Sequence, residues 1–113
     1  MHELSITQSM LDLVLEHAKK AEAKKVGKIN LVIGEMTGVV EQCVQFYLNF
    51  LSKGTIVEGA ALSCRMVPPK AQCRDCSETF ELKEFDWTCP HCRSNTMEII
   101  AGNELFVESI EVE

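Results

Sequence analysis

Four cysteines in the second half of the chain are grouped as two Cys-x-x-Cys motifs, "CRDC" at 73–76 and "CPHC" at 89–92, with twelve residues between them. Two residues between cysteines allow both thiolates of a motif to reach one ion. Two such motifs supply the four soft ligands of a tetrahedral site. The spacing therefore predicts a structural zinc site whose ligands are Cys73, Cys76, Cys89 and Cys92.

Three other interpretations of this segment follow from the same residues. Iron can occupy four thiolates equally well, because ligand type alone does not separate the two metals. A redox-active disulfide would need a single motif at the start of a helix in a βαβ unit, and here there are two motifs without that context. His91 could replace a cysteine, but it lies inside a motif whose cysteines already complete the set. A closed four-thiolate site has no open position for water, which argues against zinc-dependent hydrolysis.

The first three residues, "MHE", form a second candidate metal site. Met1 offers an α-amine, and His2 offers a backbone nitrogen and an imidazole. These three nitrogens can close adjoining chelate rings in a plane, which suits Ni(II) or Cu(II) and suits tetrahedral zinc poorly. Glu3 could add a carboxylate or its own amide nitrogen. The alternative interpretation is a frayed terminus that binds nothing.

The remaining residues capable of chemistry suggest no catalytic turnover. No nucleophile–base pair and no phosphate-binding loop is visible, so the sequence predicts a protein that is not an enzyme. Glu35 is predicted to be a surface charge at a strand end, and His17 an ordinary surface or boundary histidine. The two cysteines outside these motifs, Cys43 and Cys64, fall in apolar stripes and are predicted to be small buried side chains.

Composition limits the classes of function that fit. The chain has 113 residues, of which 46% are hydrophobic and 25% charged, and this balance is typical of one soluble domain with at most a small appendage. Its net charge of −6 disfavours nucleic acid and anionic membranes as partners. No signal peptide or membrane-length apolar run is present, which predicts a cytoplasmic protein. Cysteines in a reducing cytosol are more often metal ligands or thiols than disulfides.

Hydrophobic periodicity predicts two helices, at 4–25 and 40–53, and three strands, at 28–34, 61–67 and 104–112. Gly27 and Gly54 are the predicted helix ends. The apolar stripe of the second helix is predicted to contain Val40, Cys43, Val44, Phe46, Tyr47, Phe50 and Leu51.

The predicted strands also indicate where the cysteine segment lies in the fold. The strands on either side of residues 70–100 are predicted to pair as an antiparallel ribbon that carries the segment as an insertion. Within the insertion, Phe80, Leu82, Phe85 and Trp87 suggest a short hairpin that covers the metal. We therefore expect an α/β fold: a small mixed sheet of about three strands with two helices, plus an inserted zinc-ribbon-like lobe. The expected division is a body of residues 1–68 with 101–113 and a lobe of residues 69–100.

Several stretches together resemble the hydrogenase nickel-incorporation proteins of the HypA/HybF family. They are "MHELSITQSMLDLVLEHA" at the start, "VIGEMTGV" after the first strand, the paired motifs "CRDC" and "CPHC", and the final "GNELFVESIEVE". The resemblance runs from end to end, and the "MHE" start and the paired cysteine motifs are its most specific parts.

The resemblance implies a function and a ligand set. It implies that His2 binds nickel, that the four cysteines bind structural zinc, and that Ni(II) is a transient cargo delivered to the [NiFe]-hydrogenase large subunit with a GTPase partner. Further nickel ligands in this family can come from Glu3 or from the loop near residues 37–41. In this chain that loop offers Glu41, but position 40 is Val40, so a carboxylate there is not assured.

Two other functions remain open at this stage. One is a non-enzymatic zinc-ribbon adaptor with no nickel role, and it would bind one metal where a metallochaperone would bind two of different kinds. The other is a nucleic-acid-binding ribbon, which the acidic charge disfavours. The sequence also allows a homodimer, since a long hairpin with an insertion can exchange between chains.

Overall fold

The structure is a computed structural model, and it describes residues 3–82 and 87–113. Within these ranges the chain forms two α-helices, α1 (Glu3–Lys20) and α2 (Glu41–Leu51), and a short 3-10 turn at Glu35–Thr37. Six strands are described, in chain order: β1 (Val26–Gly34), β2 (Ala61–Val67), β3 (Lys70–Cys73), β4 (Thr79–Glu81), β5 (Met97–Ala101) and β6 (Leu105–Val112). The predicted α/β class with two helices and small sheets is confirmed.

The body, defined here as α1, α2 and the sheet of β2, β1 and β6, has β1 at its centre. β1 is parallel to β2 and antiparallel to β6. Ile29, Leu31 and Ile33 are buried in one hydrophobic cluster with residues of both helices. Val32, on the opposite face, is also buried. The same opposite face also carries Lys28 and Asn30, which contact Glu111 and Ser109 of β6, so β1 is fully apolar on one face only.

The predicted ribbon of β2 and β6 is wrong, because β1 lies between these two strands. The run of apolar residues in β1 places it centrally, so the two strands that flank the insertion become its two neighbours. An ion pair between Arg65 of β2 and Glu108 of β6, at 2.8 Å, connects their side chains across β1.

The C-terminal end of α1 lies earlier in the chain than the sequence predicts. α1 ends at Lys20 because Glu22 adopts a left-handed conformation (φ 54°) and Ala23 N–H donates to the Ala18 carbonyl at 3.0 Å. This is a Schellman motif, which stops a helix. Gly27, the predicted end, lies inside β1.

α2 buries a narrower stripe than its sequence suggests. Only Val44 and Leu48 are buried, whereas Phe46 and Phe50 are 68% and 65% exposed. Cys43 is exposed too, so the prediction that it is buried is wrong. Apolar residues occupy more than half of the circumference of α2, but only the row of Val44 and Leu48 is buried in the hydrophobic cluster of the body.

The lobe, defined here as β3, β4, β5 and the two cysteine motifs, lies in the chain between β2 and β6. β3 is its central strand and pairs antiparallel with both neighbours. Its described buried residues are Ala71, Cys73, Leu82 and Cys89, and the hydrophobic cluster of the body includes none of them. Phe80 is half-buried and Trp87 is exposed, while Phe85 lies outside the described residues. The described lobe therefore has few buried apolar side chains to stabilise it.

The turn between β5 and β6, where the chain returns from the lobe to the body, packs closely against the end of β1. Gly34 N–H donates to the Glu104 carbonyl at 2.6 Å, and Met36 N–H donates to the Gly102 carbonyl at 2.8 Å. A Cβ atom at position 34 would overlap the Gly102 carbonyl and lie 2.6 Å from the Glu104 amide nitrogen. Backbone atoms make up this obstacle, so a side chain at position 34 cannot be accommodated without separating the strands.

Substituting Gly34→Ala is therefore expected to destabilise the protein by about 1–3 kcal/mol or more. Gly27→Ala is the matched control in the same strand, because the nearest atom to a Cβ there is 3.9 Å away. Urea unfolding followed by circular dichroism measures both. Equal midpoints for the two variants would contradict the tight junction.

Among the described residues, no helix is both long enough and apolar enough to cross a membrane.

Candidate metal centre

The two Cys-x-x-Cys motifs, knuckle 1 (residues 73–76) and knuckle 2 (residues 89–92), have nearly the same backbone. In each, the residue after the second cysteine donates its N–H to the carbonyl of the first cysteine, Ser77 to Cys73 at 3.0 Å and Arg93 to Cys89 at 2.8 Å. Ser77 and Arg93 both adopt the left-handed conformation, with φ 64° and 63°. The amide of each first cysteine then donates at 2.8 Å to a carbonyl five residues later. The two knuckles thus have equivalent local conformations.

The four sulfur atoms of the knuckles lie close together. All lie within 4.8 Å of one another. The Cys73 and Cys92 sulfurs are 3.5 Å apart, and those of Cys76 and Cys89 are 3.6 Å apart. Sulfurs at about 2.3 Å from a tetrahedral zinc ion are separated by about 3.8 Å. The donor set and its dimensions therefore fit one tetrahedral ion, and the four residues that the sequence singled out do meet.

Contacts between knuckle 1 and the residues that follow knuckle 2 hold this arrangement in place. Arg74 N–H donates to the Thr96 carbonyl at 2.9 Å, and the Ser94 hydroxyl donates to the Asp75 carboxylate. Within residues 3–82 and 87–113, the four cysteines are the one group of three or more potential ligands close enough to share an ion. His91 is exposed and is not part of that group.

The thiols of the cluster differ in acidity. A hydrogen bond from the backbone N–H of Cys76 outweighs desolvation and lowers the pKa of Cys73 to about 7. At Cys76, a hydrogen bond from the backbone of Glu78 opposes the shift, but desolvation and the neighbouring sulfurs raise the pKa to about 12. Several thiolates at such short distances repel one another. A divalent cation removes that repulsion and favours the deprotonated cluster.

The predicted nickel residues lie mostly beyond the described part of the chain. Met1 and His2 are outside the described residues, so this prediction stays a prediction. Glu3 is the first residue of α1, and its carbonyl accepts a hydrogen bond from the Thr7 hydroxyl at 2.6 Å. Glu35 is exposed, as expected for a surface charge, and His17 is exposed on α1.

A contact that the sequence did not reveal involves Cys64 and Glu41. Cys64, on β2, is half-buried, and Glu41 is the first residue of α2. Desolvation, then the negative charge of Glu41 and a hydrogen bond to its carboxylate, raise the pKa of the Cys64 thiol to about 12. No local signal could have found this pair, since it depends on how α2 lies over β2.

The two cysteines outside the knuckles should consequently differ in reactivity. The thiolate is the nucleophile towards iodoacetamide. At pH 8, a thiol with a pKa of about 12 is ionised to a fraction on the order of 10⁻⁴. We expect exposed Cys43 to react at least about 100-fold faster than Cys64, and the Cys64 rate to rise roughly tenfold per pH unit up to that pKa.

Mass spectrometry of tryptic peptides 29–53 and 54–65, which contain Cys43 and Cys64 separately, measures both rates. Glu41→Gln removes the neighbouring charge and should accelerate the Cys64 reaction. Similar rates for Cys43 and Cys64 in the native chain would contradict the raised pKa of Cys64, and an unchanged Cys64 rate in Glu41→Gln would contradict the Glu41 contact.

Comparison with known proteins agrees with this arrangement along the whole chain. A family model described as "Hydrogenase/urease nickel incorporation, metallochaperone, hypA" matches residues 1–112. Hydrogenase maturation factor HypA of Dehalococcoides mccartyi is 45% identical over 113 residues, covering 100% of this chain and 95% of that protein. Hydrogenase maturation factor HybF of Escherichia coli is 35% identical over 113 residues, covering 100% of both.

A solved structure has the same fold. The solution structure of the Ni metallochaperone HypA from Helicobacter pylori matches with a TM-score of 0.69 and 31% identity, covering 99% of this chain and 97% of that one. The family is one of metallochaperones rather than enzymes. The chain therefore belongs to the HypA/HybF family of nickel-incorporation metallochaperones that act in hydrogenase maturation.

Proposed function

We propose that this protein binds Ni(II) at its N-terminus and delivers it to the [NiFe]-hydrogenase large subunit during maturation, while a separate zinc ion stabilises the lobe. The observation that carries this proposal is the closed cluster of four sulfurs. A site whose coordination is complete holds its ion and has no open position from which to pass it on. A cargo ion therefore needs a second site with few and labile ligands.

Cys73, Cys76, Cys89 and Cys92 are the proposed zinc ligands. They belong to a lobe whose proposed limits are residues 69–100, inserted into a body of residues 1–68 with 101–113. The short sulfur distances and the small apolar core of the described lobe support a structural role for the metal. Zinc binding then supplies much of the folding free energy of the lobe.

The proposed nickel ligands are the amine of Met1, His2 and Glu3. Because α1 begins at Glu3, an ion bound to the amide nitrogens of the residues before it breaks no hydrogen bond within the helix. The positive end of a helix dipole opposes a nearby cation by about 0.3–1 kcal/mol. Such a site favours release of the ion, which suits a carrier. Glu41 is a weaker candidate for a nickel ligand, because its carboxylate contacts the Cys64 thiol.

The proposed partners are a GTPase of the nickel-insertion pathway and the hydrogenase large subunit, in the cytoplasm. The family's role in nickel incorporation supports partners of this kind. The acidic charge of the chain, −6, argues against nucleic acid and anionic membranes as partners. A homodimer is compatible with the inserted lobe.

Nickel titration of the zinc-loaded protein, followed by native mass spectrometry, tests the proposal. We expect one zinc and one nickel ion per chain, with zinc retained when nickel is removed by a weak chelator. The zinc-ribbon adaptor predicts zinc alone. A chain that takes up no nickel at neutral pH, or in which nickel displaces the zinc, would contradict the two-site function.

A further inference from the structure

The four sulfurs are arranged in two equivalent pairs that cross between the knuckles. Cys73 of knuckle 1 contacts Cys92 of knuckle 2 at 3.5 Å, and Cys76 of knuckle 1 contacts Cys89 of knuckle 2 at 3.6 Å. The two pairs are equivalent, since each joins the first cysteine of one knuckle to the second cysteine of the other. A disulfide has sulfurs about 2.05 Å apart, so each pair needs a further approach of only about 1.5 Å.

Each pair also combines a protected sulfur with a more accessible one. Cys73 and Cys89 are buried, whereas Cys92 is exposed and Cys76 is half-buried. A small oxidant can therefore reach one sulfur of each pair from solvent, and the buried sulfur lies next to it as the resolving partner. Oxidation of cysteine depends on this combination of access and a nearby second thiol.

We propose that the cluster is a peroxide-sensitive modification site, in which oxidation joins Cys73 to Cys92 and Cys76 to Cys89 and releases the metal. The inference rests on the proposed zinc site. The inference adds to that site a defined set of disulfides and an oxidant, hydrogen peroxide.

The chemistry balances with peroxide alone as oxidant. The Cys92 thiolate attacks one peroxide oxygen, so that an S–O bond forms, the O–O bond breaks, and the departing oxygen leaves as water after protonation. The Cys73 thiolate then attacks the Cys92 sulfur, so that the S–S bond forms and the S–O oxygen leaves as a second water. Cys76 and Cys89 react in the same way. In total, four thiolates, two peroxide molecules and four protons give two disulfides and four waters, and the zinc ion leaves as Zn²⁺.

The crossed pairing has a structural consequence. Disulfides between the knuckles keep them joined after the ion has left, so they replace the metal as the cross-link of the lobe. Disulfides within each knuckle would leave the two knuckles unconnected. The oxidised lobe therefore stays folded without zinc, and reduction regenerates the four-sulfur site.

Peroxide treatment of the zinc-loaded full chain tests the pairing, after one zinc per chain has been confirmed. Zinc release is followed with a chromogenic chelator, and free thiols are alkylated before digestion with trypsin. The relevant peptides are "AQCR" (71–74), "DCSETFELK" (75–83) and "EFDWTCPHCR" (84–93). The crossed pairing joins all three into one species. Fragmentation at the Cys89–Pro90 bond should then leave 75–83 attached to Cys89 and 71–74 attached to Cys92.

We expect one zinc released per two peroxide molecules consumed, this three-peptide species, and retained amide-exchange protection of β3 and β5 in the oxidised chain. Cys43→Ser, outside the knuckles, should give the same result. A pair of 71–74 with 75–83 beside an internally bridged 84–93, or a bridge to Cys43 or Cys64, would overturn the inference. A chain without zinc before treatment would contradict the proposed metal site, and the disulfide map of that metal-free chain would still decide the pairing.

Discussion

Replacing Cys73 with alanine is expected to weaken zinc binding severely and to unfold the lobe, while the body stays folded. Cys73 is buried and supplies one of four converging sulfurs. Structural zinc contributes about 10–16 kcal/mol of apparent binding free energy in small metal-dependent domains. The described lobe has few buried apolar residues to compensate for that loss. We expect zinc affinity to fall at least about 1,000-fold, equivalent to about 4 kcal/mol.

Zinc content measured by native mass and amide hydrogen exchange of β3 and β5 give the two readouts. Cys89→Ala should behave like Cys73→Ala, because the two residues occupy equivalent positions in the knuckles. Cys43→Ala is the matched control, since this cysteine is exposed on α2 and distant in sequence from both knuckles. If Cys73→Ala retains one zinc per chain and full protection of β3, the proposed ligand set is wrong.

Adding one residue ahead of Met1 is expected to weaken nickel binding by at least about 100-fold, which is about 2.7 kcal/mol. The extension converts the Met1 amine into an amide and moves the free amine away from the His2 imidazole. The planar set of nitrogen donors that suits Ni(II) is then incomplete. Zinc binding and the fold should not change, because the knuckles are remote from the first residues in the chain.

Calorimetric titration of nickel into three zinc-loaded proteins decides the question: the native chain, the extended chain and His2→Ala. Mass measurement must confirm that Met1 is still present in the last of these, since a small second residue favours its removal. His17→Ala is the matched control, because this exposed histidine on α1 should leave nickel affinity unchanged. Equal affinity of the native and extended chains would eliminate the amine as a ligand. Unchanged affinity of His2→Ala would eliminate the N-terminal site altogether.

The sequence by itself determined the features that depend on short spacing. Two residues between cysteines are enough to predict which four side chains meet, since each knuckle is formed by one turn of the backbone. β2 was predicted with its observed limits, Ala61–Val67, because prolines and a glycine-containing loop bound an apolar run. The family resemblance likewise depended on motifs that are contiguous in the chain.

Only the tertiary structure decided how distant segments face each other. β1 lies between β2 and β6 and places Ile29, Leu31 and Ile33 in the core, and this arrangement depends on the total burial of three strands and two helices. Cys43 is exposed, and Cys64 lies beside Glu41, because α2 enters the core through only one narrow row of side chains, Val44 and Leu48. The junction at Gly34 and the crossed pairs Cys73–Cys92 and Cys76–Cys89 arise in the same way. Local spacing brings residues of one turn together, but contacts between segments far apart in the chain depend on packing across the whole protein, which no single stretch of sequence contains.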